Sequence, residues 1–314
     1  MSQITAATHD SPPGPSHPDG ATLTTPLRHQ RTLARPCGVA GFGYWSGRDV
    51  TVELRPAPAG SGIVFVRGDL APPLRISADV RQRFEVPRRT TLAAGGAQVE
   101  MVEHVLAALY GLAIDNCEVW VNAPELPGLD GSCQSLVEAI AAAGILEQKA
   151  ARRRLVVTDI TRVGNDECWV EARPAKTGGL NIEYKLDYGP NNPIGRQTIE
   201  LAVTPQSFQQ ELASARTFIM EDEAQWLRDR GLGTRVTSQD LLVFGPDGPI
   251  DNPLRFEDEC VRHKALDLVG DLALAGCDLV GQFIAYKSGH RLNADLVRIL
   301  LCGGQMEEGL RRSA

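Results

Sequence analysis

The residues best suited to chemistry in this sequence are His263 and Asp267, which stand four positions apart in a segment that is predicted to be helical. Residues at i and i+4 lie one above the other on a helix face, so one divalent metal ion can be bound by both. The pair also suits a solvated helix face, since residues 255–262 are rich in charge. However, Asp267 and Asp271 lie among leucines on a face that should be buried, and a buried carboxylate needs a charged or metal partner. We therefore expect a metal site here.

A second pattern of the metal-binding type occurs far upstream, where Glu103 and His104 stand at the head of another amphipathic helix. Two histidines and one aspartate would leave one tetrahedral position of a zinc ion open for water, as in a catalytic rather than a structural site. Glu103 has the right chemistry to deprotonate that water. The alternative for His104 is a hydrogen-bonded core histidine, and glutamate is favourable in any first helical turn.

Further residues have the chemistry to complete such a site. His290 follows a predicted strand at a polar, glycine-containing tip, where a protonated imidazole would stabilise an oxyanion and then donate to a leaving nitrogen. Asp271 would hold that imidazole in its charged form. Thr217 offers a hydroxyl donor and Phe218 an apolar wall. The alternatives are an ordinary helix start for His290 and an ordinary capping turn for Thr217.

Composition is that of a soluble globular protein. The chain has 314 residues, of which 43% are hydrophobic and 23% charged, enough for one large domain or two smaller ones. A net charge of -7 argues against nucleic-acid binding, and we interpret Arg152-Arg153-Arg154 as a linker or strand edge. Seven cysteines without a Cys-x-x-Cys pair suit a reducing cytoplasm. No apolar run approaches the roughly 20 residues that span a bilayer, and no signal peptide is recognisable, so we expect a cytoplasmic protein.

The order of predicted elements indicates an α+β protein with two similar halves. Residues 1–27 are rich in proline, serine, threonine and glycine and are predicted to form a disordered tail. Residues 28–150 form the first predicted domain, residues 151–305 the second, and residues 306–314 a C-terminal tail. Each half carries a Val-x-His pattern with a glycine seven positions after the histidine. This weak repeat predicts that the metal lies at the junction of the two halves.

Hydrophobic periodicity gives the individual elements. Ser132 is the predicted N-cap of the second helix. The predicted helices are 99–112, 132–143, 205–213, 221–230, 257–275 and 292–301, and the predicted strands are 50–54, 62–66, 117–121, 154–158, 168–172, 180–186, 197–201, 241–244 and 279–286.

Taken together, these motifs resemble those of the zinc-dependent UDP-3-O-acyl-N-acetylglucosamine deacetylases, which catalyse the committed step of lipid A synthesis. The resemblance extends over residues 30–301. The motifs that carry it are Gln30-Arg31-Thr32-Leu33, Leu54-Arg55-Pro56-Ala57-Pro58, Val102-Glu103-His104, Ile114-Asp115-Asn116, Asn122-Ala123-Pro124-Glu125, Asp130-Gly131-Ser132, Ser214-Ala215-Arg216-Thr217-Phe218, Leu254-Arg255-Phe256-Glu257-Asp258-Glu259, Val261-Arg262-His263-Lys264, Leu266-Asp267 and Ala285-Tyr286-Lys287-Ser288-Gly289-His290.

The resemblance implies a fold, a reaction and a role for each residue. The fold would be two α+β halves, each a sheet plus helices, with the helices packed between the two sheets. The reaction would remove the N-acetyl group of UDP-3-O-acyl-N-acetylglucosamine as acetate, in a monomer that binds one zinc ion, although iron(II) suits the same ligands. The implied roles are metal binding by His104, His263 and Asp267, general base catalysis by Glu103, charge stabilisation by His290 oriented by Asp271, oxyanion binding by Thr217, and substrate binding by Phe218, Lys264 and Lys287.

Two stretches depart from the family pattern. Gly43-Tyr44-Trp45-Ser46-Gly47 stands where the family usually has Gly-Leu-His-Ser-Gly, so that Trp45 replaces a polar, titratable ring near the substrate. The loop at residues 233–239 lacks the usual Gly-Gly pair. Two alternatives therefore stay open. One is a paralogue that keeps the fold and the zinc but only binds a ligand, and the other is a deacetylase of a different acylated amino sugar.

Overall fold

The protein is described here from a computed structural model, which covers residues 26–175 and 178–308. The tail predicted for residues 1–27 lies almost wholly outside these residues, as do residues 309–314. The proposed domain boundary near residue 150 stays a prediction. None of the helices within the described part of the chain has the length and apolar character needed to cross a membrane.

The first half contains a five-stranded sheet, a three-stranded sheet and a two-stranded ribbon. Its elements are β1 (His29–Leu33), β2 (Cys37–Phe42), β3 (Asp49–Pro56), β4 (Ile63–Arg67), β5 (Leu74–Ser77), β6 (Arg83–Phe84), β7 (Thr91–Ala94), β8 (Ala97–Glu100), α1 (Glu103–Gly111), β9 (Cys117–Val121), α2 (Gln134–Ala143) and β10 (Ile145–Ala151). The large sheet has the order β2-β3-β9-β4-β5, in which only β4 and β9 are parallel. In β3, Val50, Val52 and Leu54 are buried and alternate with more exposed residues, as expected for a strand with one core face.

The second half is built around its long strand β19, which pairs with β11, β13 and β14. Its elements are β11 (Arg154–Val156), β12 (Thr161–Gly164), β13 (Trp169–Arg173), β14 (Leu180–Asp187), β15 (Arg196–Val203), α3 (Pro205–Ser207), β16 (Phe218–Met220), α4 (Glu221–Arg228), β17 (Leu242–Gly245), β18 (Gly248–Pro249), α5 (Glu259–Leu272), β19 (Asp278–Tyr286), α6 (His290–Gly303) and β20 (Gln305–Glu307). β20 includes the first two residues of the predicted C-terminal tail, 306–314, and pairs antiparallel with β11. Main-chain hydrogen bonds to β11 order this short segment, which has little apolar character of its own.

Helices α1, α2, α5 and α6 lie between the large sheets of the two halves. α1 packs against α5 and also contacts α2, which in turn contacts β2. On the other side, α5 contacts β14 and β15, and α6 contacts β12 and β13. Gly270 allows the closest approach of α1 and α5, because a Cβ atom there would lie 2.1 Å from the backbone oxygen of Glu103. The predicted α+β architecture is confirmed, and the contact between α1 and α5 places the start of α1 beside the C-terminal part of α5.

The predicted elements occur with shifted ends, but the predicted helix 205–213 is α3 followed by a π-helical segment, Phe208–Leu212. Several strands were not predicted, among them β1, β2 and β10. The predicted helix 99–112 begins only at Glu103, because residues 97–100 pair with β7. The predicted N-cap at Ser132 is wrong by one position, since Cys133 is the N-cap, although the Ser132 hydroxyl accepts a hydrogen bond from the Gln134 N–H at 3.2 Å. The predicted helix 257–275 is α5 followed by a 3-10 turn.

Candidate active site

Three side chains that the sequence places far apart meet at the contact between α1 and α5. Their candidate ligand atoms, from His104, His263 and Asp267, all lie within 4.8 Å of one another, and all three residues are buried. The Asp267 Oδ1 atom is 3.3 Å from His263 Nε2 and 3.7 Å from His104 Nε2. The two imidazole rings stand nearly perpendicular, with centroids 5.0 Å apart. Two imidazoles and a carboxylate converging on one point form the donor set of a divalent metal site.

A main-chain carbonyl orients His263. Its Nδ1 atom lies 3.0 Å from the Ala215 carbonyl oxygen, so Nδ1 carries the proton and Nε2 presents its lone pair toward Asp267. The Ala215 carbonyl is itself fixed through the next residue, Arg216, whose backbone N–H and Nε both donate to Glu259 Oε1, at 3.0 and 2.7 Å. Glu259 is fully buried and begins α5 one turn before His263.

The electrostatics of the three candidate ligands suit a metal ion. Burial lowers the pKa of His104 to about 3, helped by the proximity of His263, so this imidazole is neutral and can donate a lone pair. Burial alone would raise the pKa of Asp267. The ammonium of Lys264, which donates to Asp267 Oδ2 at 2.8 Å, opposes that effect and holds the pKa well below its usual range. His104 and Asp267 are therefore in their metal-binding protonation states at neutral pH.

Glu103 stands beside this triad with a pKa suited to proton transfer. It is the first residue of α1, and its Oε2 atom accepts a hydrogen bond from the Thr90 N–H at 3.0 Å. Burial raises the pKa of its carboxyl to about 7, against the opposing effect of His290. Its Oε1 atom lies 3.9 Å from the Nε2 atom of His290, which begins α6 in the other half. A carboxylate that exchanges protons near neutral pH is a competent general base.

His290 has the opposite character and is held as a cation. Burial lowers its pKa, but the carboxylates of Asp271 and Glu103 outweigh this effect and raise the pKa to about 9. Asp271 Oδ2 lies 2.9 Å from His290 Nδ1 and also accepts from Asn293 Nδ2 at 2.8 Å. Asp271 Oδ1 accepts from the Thr90 hydroxyl at 2.6 Å. At neutral pH this arrangement presents a fixed imidazolium N–H toward Glu103.

These groups face a cavity of about 540 Å³. Thr217 and Phe218 form part of its wall, and the Thr217 N–H is anchored to the Gly131 carbonyl at 2.7 Å. One part of the wall is apolar and comes from the segment that contains β16, α4 and β17, namely Ile219, Ala224, Leu227, Val236, Leu241 and Val243. Lys264, Lys287 and Tyr188 border both this cavity and a neighbouring one of about 620 Å³.

Comparison with known proteins identifies a family to which the sequence is similar. The family model described as UDP-3-O-acyl N-acetylglycosamine deacetylase matches residues 30–302. The chain is 38% identical over 280 residues to the UDP-3-O-acyl-N-acetylglucosamine deacetylase of Shewanella oneidensis, covering 87% of this chain and 89% of the relative. The protein of the same name from Brucella ovis is 38% identical over 276 residues, covering 87% of this chain and 95% of the relative. The chain belongs to the UDP-3-O-acyl N-acetylglycosamine deacetylase family.

The stretch in which this family member departs from the usual pattern lies at the cavity. Trp45 lines the cavity, and the Arg89 guanidinium stacks over its ring at 4.5 Å. The backbone N–H groups of Trp45 and Ser46 donate to the buried carboxylate of Glu125, at 2.7 and 2.8 Å. Trp45 is therefore a fixed part of the wall. The second departure is also at the wall, since Gly233, Val236 and Thr237 line the cavity.

All ten residues singled out in the sequence fall at one place. Nine of them line the cavity, and the tenth, Asp271, lies behind His290. Sequence reasoning missed Thr90, Asn293, Glu259 and the Ala215 carbonyl, which orient the others from outside the cavity. Asn293 could have been found, because it lies three residues after His290, near the start of a predicted helix. Every residue has a backbone carbonyl, so the sequence does not show that the carbonyl of Ala215 orients His263.

Proposed function

We propose that this protein is a zinc-dependent hydrolase that removes the N-acetyl group of UDP-3-O-acyl-N-acetylglucosamine and releases acetate, a step in lipid A synthesis. The observation that carries the proposal is the buried triad of His104, His263 and Asp267 directly beside the Glu103–His290 pair. The curated relatives that share this chain's length bear the name of this enzyme.

The donor set supports one zinc ion per chain, and iron(II) suits the same ligands. His104, His263 and Asp267 would hold the ion, leaving a coordination position for water or substrate. When bound, the metal supplies Lewis-acid polarisation of the amide carbonyl and lowers the pKa of a water molecule. The neutral imidazole of His104 and the ionised carboxylate of Asp267 fit this role without loss of a proton.

The protein's own groups account for the proton transfers. Glu103, unprotonated, takes a proton from the attacking water as the water oxygen bonds to the amide carbon. The His290 imidazolium and the Thr217 hydroxyl stabilise the negative charge that develops on the former carbonyl oxygen. As the C–N bond breaks, the leaving nitrogen takes a proton from His290, and the products are acetate and the free amine. Asp271 keeps His290 oriented and charged through the reaction.

The two cavities suit the two ends of the substrate. The apolar wall formed by the β16–α4–β17 segment is chemically matched to a fatty acyl chain. Lys264 and Lys287, at the boundary with the second cavity, are matched to a sugar diphosphate. The centroid of the Phe218 ring lies 5.8 Å from Lys264 Nζ, and this ring would pack near the sugar.

One observation keeps a second candidate open. Because Trp45 stands in the cavity wall, where the family usually has histidine, this chain could bind the nucleotide sugar without turning it over, or accept a different acylated amino sugar. Incubation of the purified, zinc-loaded protein with UDP-3-O-acyl-N-acetylglucosamine separates these functions when free amine and bound ligand are both measured. Release of amine supports the proposal. Tight binding without amine supports the ligand-binding paralogue, and neither binding nor turnover supports a different substrate.

A further inference from the structure

Thr90 contacts both of the carboxylates that govern proton transfer in this site. It is fully buried, lies immediately before β7, and is not among the residues that line the cavity. Its N–H donates to Glu103 Oε2 at 3.0 Å, and its hydroxyl donates to Asp271 Oδ1 at 2.6 Å. Its carbonyl accepts from the N–H of Val102, the residue that directly precedes Glu103, at 3.3 Å. All three polar groups of this residue are therefore used, two of them on the acid–base machinery.

These contacts cross the boundary between the two halves of the chain. Thr90 and Glu103 belong to the first half, whereas Asp271 lies on α5 and its partner His290 begins α6. Because Gly270 has no side chain, α1 and α5 approach each other closely beside Glu103. This helix contact alone does not fix the side-chain rotation of Glu103 and Asp271. The Thr90 hydroxyl holds Oδ1 of Asp271, whose Oδ2 is held by Asn293 and His290, and the Thr90 N–H holds Oε2 of Glu103.

We propose that Thr90 is a positioning residue for the deacetylation reaction, which holds the Glu103 base and the Asp271–His290 pair in a single arrangement through its N–H and its hydroxyl. The proposal rests on the proposed function for its kinetic consequence, but its structural consequence at His290 is independent of the substrate. Reacting groups misplaced by about 1 Å lose on the order of a hundredfold in rate, so a donor that sets two orientations at once has a large effect without touching the substrate.

The chain provides a closely matched control. Thr91, the next residue, is also fully buried, and its hydroxyl has no hydrogen-bond partner among the described residues. Thr90→Val and Thr91→Val make the same chemical change at adjacent buried positions and keep both backbone N–H groups. Thr90→Ser keeps the hydroxyl and removes only a methyl group. A general packing defect would affect the two valine variants alike, whereas a positioning role affects Thr90→Val alone.

The kinetic experiment measures kcat and KM for the zinc-loaded variants. For Thr90→Val we expect kcat to fall about 10- to 100-fold with KM within about twofold of wild type, because the lost contact orients reacting groups and not the bound substrate. Thr90→Ser should retain most of the activity, and Thr91→Val should match wild type. Equal kcat values in Thr90→Val and Thr91→Val would overturn the proposal.

The second readout is the titration of the His290 ring, followed by nuclear magnetic resonance on the same purified proteins. His290 is faced by Asp271 and Asp267 from α5 and by Glu103 from α1. Without the Thr90 hydroxyl, Asp271 loses one donor, attracts the His290 proton more strongly and raises the pKa of the ring. We expect this upward shift in Thr90→Val but not in Thr90→Ser or Thr91→Val. A titration in Thr90→Val that stays unchanged or moves down would contradict the proposal, even if the wild type proves inactive on the proposed substrate.

Discussion

The carboxylate of Glu103 and the imidazole of His290 face each other at 3.9 Å although they begin helices in different halves of the chain. Burial raises the pKa of Glu103 to about 7, and the neighbouring carboxylates, acting against burial, raise that of His290 to about 9. The two environments therefore make Glu103 available as a base and His290 as an acid at neutral pH.

This separation predicts a bell-shaped dependence of kcat/KM on pH. Activity requires Glu103 to be unprotonated, so it should rise as the pH increases through about 7. It also requires His290 to be protonated, so it should fall as the pH increases through about 9. A bound cation favours the ionised carboxylate, which places the acidic limb at or below pH 7 in the metal-loaded enzyme. The measurement is initial rate at low substrate across this range. A profile without a basic limb would contradict the role of His290.

Replacement of Glu103 by alanine should separate catalysis from metal binding. The side chain is not one of the three candidate ligands, so the purified variant should contain as much zinc as wild type. Turnover should fall at least about a hundredfold, because the general base is lost. Metal analysis and the amine-release assay test the two statements on one sample. Full activity in this variant would refute the assignment of Glu103 as the base.

Much of the site could be predicted because its signals are local. His263 and Asp267 are brought together by a single helix, and Glu103 and His104 are adjacent in the sequence. What could not be predicted is which groups hold the two helices in place at the junction. The N–H of Thr90 is a group that every residue except proline has, so its contact with Glu103 leaves no mark on residue type.

The parts of the fold that were not predicted are helix ends, very short strands and two longer strands without a buried residue, β2 and β10. β6 has two residues and β20 has three, too few to show an alternation of polar and apolar side chains. Their existence depends on main-chain partners supplied by distant segments, as in the pairing of Met306 with Leu155. The long buried elements, by contrast, were identified from their apolar periodicity, as in the period-two alternation of β3.

Loss of a metal ligand should have a different signature from loss of the base. Replacement of His263 or Asp267 by alanine removes one of three donors and should lower the zinc content of the purified protein together with its activity. His29→Ala is a suitable control, because this histidine is exposed and its imidazole pairs with Glu147, which is not a candidate ligand. Metal analysis after dialysis gives the readout. A fully zinc-loaded His263→Ala protein would show that this residue is not a ligand.

The last prediction concerns the buried pair that holds the Ala215 carbonyl in place. Glu259 accepts from the Arg216 backbone N–H and guanidinium and, at 2.6 Å, from the Arg255 N–H, so Glu259→Gln weakens the contacts that hold the segment joining Ala215 to Arg216. Because that segment orients His263, we expect zinc affinity to weaken about 10- to 100-fold, the range typical for partners of metal-binding histidines.

Asp115→Asn gives the control for a general loss of stability. Asp115 is a buried carboxylate that pairs with Arg28 and Arg152, away from the metal triad. Both substitutions neutralise a buried carboxylate that pairs with arginine and should lower the melting temperature, but only Glu259→Gln disturbs the carbonyl that orients His263. Competition with a zinc chelator measures the affinity of each variant. If the two variants lose zinc affinity equally, the effect is one of stability, and the Arg216–Glu259 pair does not act on the metal site.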